Sequence, residues 1–225
     1  MRVLIAVPAK RDMMSIVSRE SVLTQRWKDG DAVDTVFLVD GDKGPRWFNL
    51  CRKLQQARRL ALEGGYDALL TVESDIILPD DALEKLWEVD APVAYGLFVL
   101  RTPPHNWNVA TIMRPGSMRL LTFDKDISWA AIHMGLPMRC KGHGQGVCLI
   151  RREVLEAIDF RNPTPETLAQ DWYFSFDCQD LNFQQMCHMG VVCGHIDHKD
   201  GREIIYWPDE DEPNLYRVVD WGAIA

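Results

Sequence analysis

The 225-residue sequence contains no apolar run long enough to span a bilayer, which takes about 20 residues. The opening stretch Met1-Arg2-Val3-Leu4-Ile5-Ala6-Val7-Pro8 is also too short for the core of a secretory signal. A cytoplasmic protein is therefore expected, its 6 cysteines reduced and several buried as small hydrophobes. Positive charge is in deficit as well: 25 Lys and Arg against 33 Asp and Glu leave a net charge of −8. That excludes a whole-surface basic footprint for duplex nucleic acid, while a local basic groove remains open. There is no internal repeat and no obvious linker. With 47% hydrophobic and 26% charged residues, the chain buries a sizeable core and is not disordered.

What is present is an alternation of strands and helices. Val3 to Val7 is a continuous apolar run of the kind buried on both faces of a sheet. Met13 to Trp27 reads as helical, and Asp34 to Asp40 as a second strand ending in the turn Asp40-Gly41-Asp42. Trp47, Leu50, Cys51, Leu54, Ala57 and Ala61 recur at helical spacing until Gly64-Gly65 stops the pattern. Ala68 to Val72 is a third strand. Pro79-Asp80-Asp81 then opens a helix over Ala82 to Trp87, and Pro92 to Val99 is a fourth strand. Residues 101 to 141 read as irregular. After them come a strand over Gly146 to Ile150, a helix over Arg152 to Ile158, a helix over Asp177 to Met189 and a short strand over Val191 to Cys193. The expected fold is α/β: a single domain over residues 1–205 with a mostly parallel sheet flanked by helices, then a tail over 206–225. Ligand chemistry in such folds collects at the carboxyl ends of the strands.

Three groups of residues carry candidate chemistry. Glu73-Ser74-Asp75 leaves the third strand with two carboxylates one residue apart. Strand alternation would turn both toward one hard divalent cation, which would neutralise a departing pyrophosphate. The alternative for such acids is the ordinary polar end of a buried strand, with Asp80 capping the next helix. His195 follows Gly190-Val191-Val192-Cys193-Gly194 and is placed to give a nitrogen ligand to the same ion, or to be a plain surface histidine. In Asp177-Cys178-Gln179-Asp180-Leu181, Asp180 is either a base toward an acceptor hydroxyl or a first-turn helix acid, and Asp177 fits an N-cap.

In this order the pieces resemble the family 2 glycosyltransferases and their GT-A fold relatives. The stretch from Ala57-Arg58-Arg59-Leu60 through Gly64-Gly65-Tyr66-Asp67 to Glu73-Ser74-Asp75 is similar to that family's approach to its Asp-x-Asp motif, here beginning with Glu. Gly144-Gln145-Gly146-Val147-Cys148-Leu149-Ile150 is similar to its acceptor-side strand, Gln179-Asp180-Leu181 stands where a Glu-Asp pair usually sits, and Cys193-Gly194-His195 is similar to its closing metal histidine. The resemblance implies that Asp75 and His195 bind Mn²⁺ or Mg²⁺, with Glu73 a weaker or water-mediated partner, and that Asp180 is the base if the enzyme inverts. It implies that Pro8, Lys10, Arg11 and Asp40 line a nucleotide pocket, with Ser74 also binding there and Arg58 within reach of the nucleotide. The implied partners are a nucleotide-diphosphate sugar and an acceptor bearing a hydroxyl.

Two rivals remain. A sugar nucleotidyltransferase would share fold and metal, but its Gly-rich basic loop after the first strand is missing around Ala9-Lys10-Arg11. A zinc-stabilised binding module would draw on Cys187, His188, Cys193, His195 and His198, with Cys140, His143 and Cys148 upstream, though no Cys-x-x-Cys pair exists. Gly142, Gly144 and Gly146 precede a strand instead of following one, which excludes the dinucleotide fingerprint. His198 to Arg202 is a candidate phosphate-facing loop.

Overall fold

A computed structural model describes residues 1–10, 14–28, 31–40, 45–103, 105–114, 117–120, 127–142, 144–162, 170–212 and 216–223. In chain order the elements are β1 (Arg2–Lys10), α1 (Ile16–Leu23), β2 (Ala32–Asp40), α2 (Arg46–Glu63), β3 (Ala68–Val72), β4 (Ile76–Ile77), α3 (Ala82–Glu88), β5 (Val93–Leu97), β6 (Ala110–Arg114) and β7 (Ser117–Leu120). They continue with α4 (Trp129–His133), β8 (Pro137–Cys140), β9 (Val147–Arg151), α5 (Arg152–Ala157), α6 (Gln170–Asp180), β10 (Gln185–Val192), β11 (Gly194–Lys199), β12 (Arg202–Pro208) and β13 (Tyr216–Ala223).

The central sheet has seven strands in the order β2-β1-β3-β9-β5-β10-β8. β1, β2, β3, β5 and β10 run one way, while β9 and β8 run against them. Helices cover both faces, so the strands are apolar on both. Along β1, Leu4 and Ala6 enter one core cluster with Cys51, Leu54, Ala57 and Ala61 of α2. Val3, Ile5 and Val7 enter the other, with Val22 of α1 and Ala82, Leu83 and Leu86 of α3. The α/β architecture expected from the alternation of elements is thus the one observed.

Four segments differ from the sequence expectation. α1 is shorter than Met13 to Trp27, because residues after it tether instead of coiling: the Gln25 amide donates to the carbonyl of Pro79, and the Arg26 N–H donates to that of Asp80. The helix expected over Asp177 to Met189 is instead the end of α6 followed by β10. Asn182 takes a left-handed φ of 59°, the Phe183 N–H returns to the Cys178 carbonyl, and burial then alternates strictly along Gln185–Val192. Asp177 is accordingly in the last turn of a helix, not its N-cap, and pairs with Arg161 at 2.6 and 3.0 Å. The middle region is not structureless: its described residues form the β6–β7 hairpin, α4 and β8.

The C-terminal region is ordered as a second sheet of four strands, β13-β12-β11-β4. The division expected between residues 205 and 206 falls inside β12. Among the described residues, no helix is long and apolar enough to cross a membrane.

Candidate functional site

The site begins where β3 ends. The Glu73 N–H donates to the Gly146 carbonyl at 2.9 Å, closing β3 on the start of β9, and the Ile76 N–H then donates to the Glu73 carbonyl at 3.1 Å. Residues 73–75 are therefore a turn, so strand alternation does not govern where Glu73 and Asp75 point. After the turn, β4 pairs antiparallel with β11, matching Ile76 with His195 and Ile77 with Gly194. The Ile196 N–H donates to the Asp75 carbonyl at 2.7 Å. This short pairing joins the two sheets and puts an acid from the first beside an imidazole from the second.

His195 is 5% exposed and Asp75 is 8% exposed. The Nδ1 of His195 lies 2.6 Å from the carbonyl oxygen of Val99, which only accepts, so Nδ1 carries the proton. The lone pair is left on Nε2, which stands 3.9 Å from Oδ2 of Asp75. Burial pushes the imidazole down from 6.5 to about 4; the Asp75 carboxylate opposes this and the Arg101 guanidinium adds to it. The ring is thus neutral at neutral pH, as a metal ligand must be. Phe98 fixes it edge-on, with ring centroids 4.9 Å apart. Gly146 is required here, since a Cβ would come within 2.9 Å of the Phe98 ring.

Asp75 has two different oxygens. Oδ2 accepts a 2.8 Å bond from Nη1 of Arg101. Oδ1 is buried with no hydrogen-bond partner. An orphaned carboxylate oxygen normally costs stability, about 1–3 kcal/mol or more for a charged group. A cation bound there would satisfy it. The donor set, one carboxylate and one neutral imidazole, suits Mn²⁺ or Mg²⁺ with further oxygens supplied by a ligand or by water. Among the described residues no group of three or more His, Cys, Asp or Glu converges by itself on one ion position.

The remaining sequence candidates divide. Ser74 sits half-buried on the same turn, as does Glu73. Pro8 is buried in β1 opposite Leu38. Lys10 pairs with Asp40 in the β1–β2 register, but their side chains, and Arg11 altogether, lie outside the described residues. Arg58 is not brought to the site: its Nε donates to the Leu155 carbonyl at 2.7 Å and its Nη1 lies 3.8 Å from Asp159, both reached by packing α2 against α5. Asp180 is exposed at the end of α6. Five residues later Gln185 pairs with Val93, the first residue of β5, so Asp180 lies toward the sheet's amino edge, whereas Asp75 leaves the carboxyl edge.

Sequence reasoning missed Arg101, which lies in the stretch read as irregular and has no neighbouring motif. It also missed Lys53, 5% exposed, whose ammonium donates to the Ala9 carbonyl at 2.8 Å at the end of β1. That one was detectable: a lysine adjoining Leu54 and four residues after Asn49 interrupts the buried stripe of α2. Among the described residues, which leave out His143, the cysteines and histidines form no group that could hold zinc. All six cysteines are free and buried, and burial raises the thiols of Cys51 to about 11 and Cys140 to about 12, keeping them protonated.

No protein-family model and no curated protein matches the chain. Solved structures do share its architecture. A197 from STIV is 17% identical with a TM-score of 0.61, over 100% of this chain and 96% of that one. A GalNAc-T7 structure with UDP, GalNAc and Mn²⁺ is 10% identical with a TM-score of 0.58, over 88% of this chain and 44% of that one. This chain therefore spans under half the length of the second protein. At these identities the likeness is one of fold, a GT-A-like α/β domain.

Proposed function

We propose that this chain transfers a sugar from a nucleotide-diphosphate donor to an acceptor hydroxyl, with Asp75 and His195 holding Mn²⁺ or Mg²⁺. One observation carries the reading: on a fold shared with a protein that binds UDP and Mn²⁺, a carboxylate with an orphaned oxygen and a neutral imidazole meet in one buried cluster. The ion supplies charge stabilisation to the departing diphosphate when bound. The chain's own residues do the rest. His195 keeps its lone pair inward through the Val99 bond, and Phe98 holds the ring's plane. Lys53, anchored on the end of β1, adds a buried positive charge toward the nucleotide pocket that Pro8, Lys10, Arg11, Asp40 and Ser74 are expected to line.

In an inverting reaction a carboxylate takes the acceptor proton as the acceptor oxygen bonds to the sugar carbon. Asp180, expected in that role, stands at the end of α6 toward the amino edge of the sheet, so the role falls to another carboxylate.

The reading is tested by calorimetric and thermal-shift screening of nucleoside diphosphates and their sugars, with and without Mn²⁺. A selective, Mn²⁺-dependent rise in stability is expected, lost in Asp75→Ala. If no nucleotide stabilises the protein, or Asp75→Ala turns over donor undiminished, the proposal fails.

A further inference from the structure

We infer that Arg101 is the anion-binding residue of this site, held on Asp75 until a divalent ion takes that carboxylate. The inference rests on the reading of Asp75 and His195 as ion ligands. Nη1 of Arg101 donates 2.8 Å bonds to both Oδ2 of Asp75 and the carbonyl of Ile196. That Oδ2 is the carboxylate oxygen 3.9 Å from Nε2 of His195, so the guanidinium already holds the oxygen beside the imidazole, while Oδ1 is left without a partner. An ion on the unpartnered Oδ1 would share one carboxylate with that guanidinium, and two cations so close repel strongly.

The rest of Arg101 is arranged for an anion. Its side chain is 24% exposed against 12% for that of Asp75, so it approaches from the solvent side. Both bonds use a single nitrogen, which leaves Nε and Nη2, a planar fork matched to phosphate oxygens. The Ile196 carbonyl is a second anchor, available whether or not Asp75 is engaged. With Arg101 on Asp75, an ion arriving alone meets a carboxylate whose charge the guanidinium already balances. An ion arriving with a diphosphate brings the negative charge that Arg101 then pairs with. Ion and nucleotide therefore bind as a coupled pair, and Arg101 is the coupling residue.

The test uses the full chain with Mn²⁺ as probe, followed by the paramagnetic signal of free Mn²⁺, and uridine diphosphate as the anion, followed by calorimetry. In Arg101→Gln, Mn²⁺ without nucleotide is expected to bind at least about fivefold more tightly, and uridine diphosphate with Mn²⁺ at least about tenfold more weakly, the scale of one charge-assisted contact. Arg101→Lys keeps a cation on Asp75 and loses the fork, so its Mn²⁺ affinity stays near wild type while its nucleotide affinity falls. Asp75→Asn abolishes Mn²⁺ binding. If wild type binds Mn²⁺ and Arg101→Gln binds it no more tightly, or nucleotide affinity is unchanged, the inference is overturned and the ion site stands. If neither wild type nor a folded Arg101→Gln binds Mn²⁺, with or without nucleotide, the ion site itself is wrong.

Discussion

The buried neutral His195 makes the metal-free protein acid-sensitive in a calculable way. Its imidazole titrates at about 4 in the folded chain against 6.5 when unfolded. Between those values the unfolded state holds a proton that the folded state refuses, so stability falls as pH drops. The contribution is complete above 6.5, and the loss levels off once pH passes below 4. By pH 5 the loss is about 2 kcal/mol, and in full it is roughly 3 kcal/mol, at about 1.4 kcal/mol for each pH unit separating the two titrations. For a chain of this size the larger figure lowers the melting temperature by about 6–12 °C. The assay is thermal denaturation in EDTA from pH 7 to 4.5, comparing wild type with His195→Gln, whose amide does not titrate. Other groups titrate in both proteins, so the difference between the two slopes isolates His195. The wild type should lose about 2 kcal/mol more than the variant between pH 7 and 5. Parallel slopes would refute the claim that His195 is held neutral by burial.

Two further outcomes bear on the site. Asp180→Asn should change neither transfer to acceptor nor nucleotide affinity, given its place toward the amino edge of the sheet; steady-state kinetics with calorimetry checks this, and a loss of transfer by about two orders of magnitude would return the base to Asp180. Gly146→Ala should cost about 1–3 kcal/mol by overpacking, because the new methyl would stand 2.9 Å from the Phe98 ring that holds His195; chemical denaturation measures it, and a neutral substitution would mean that Phe98 moves freely.

The parts of the fold that the sequence reveals are those where local pattern and tertiary role agree. Ala68–Val72 is buried throughout, and its apolar run says so directly. α2 combines a regular buried stripe with Gly65 at a φ of 68°, a conformation that ends helices. The α6–β10 boundary is hidden because Gln184 and Gln185 are not strand formers by type. Gln185 is there because its amide links the Tyr95 hydroxyl to the Ser175 carbonyl inside the core. The same holds at the site. Asp75 and His195 are visible as residue types at the ends of elements, but Arg101 acquires its role only through the chain path that brings it against Ile196, 95 residues away. Nothing local to Arg101 encodes that contact.

The two-residue strand β4 makes the cluster a late product of folding. A ribosome that has released everything through β10 has already delivered Asp75, Val99 and Arg101 and all seven strands of the central sheet, yet the imidazole that completes the arrangement is still missing. His195 must travel back across 96 residues of chain to reach the Val99 carbonyl, and it arrives only as β11 zips onto β4. The cluster is thereby completed only once the C-terminal strands have been made, and a product ending at β10 would carry the strands of the central sheet without it.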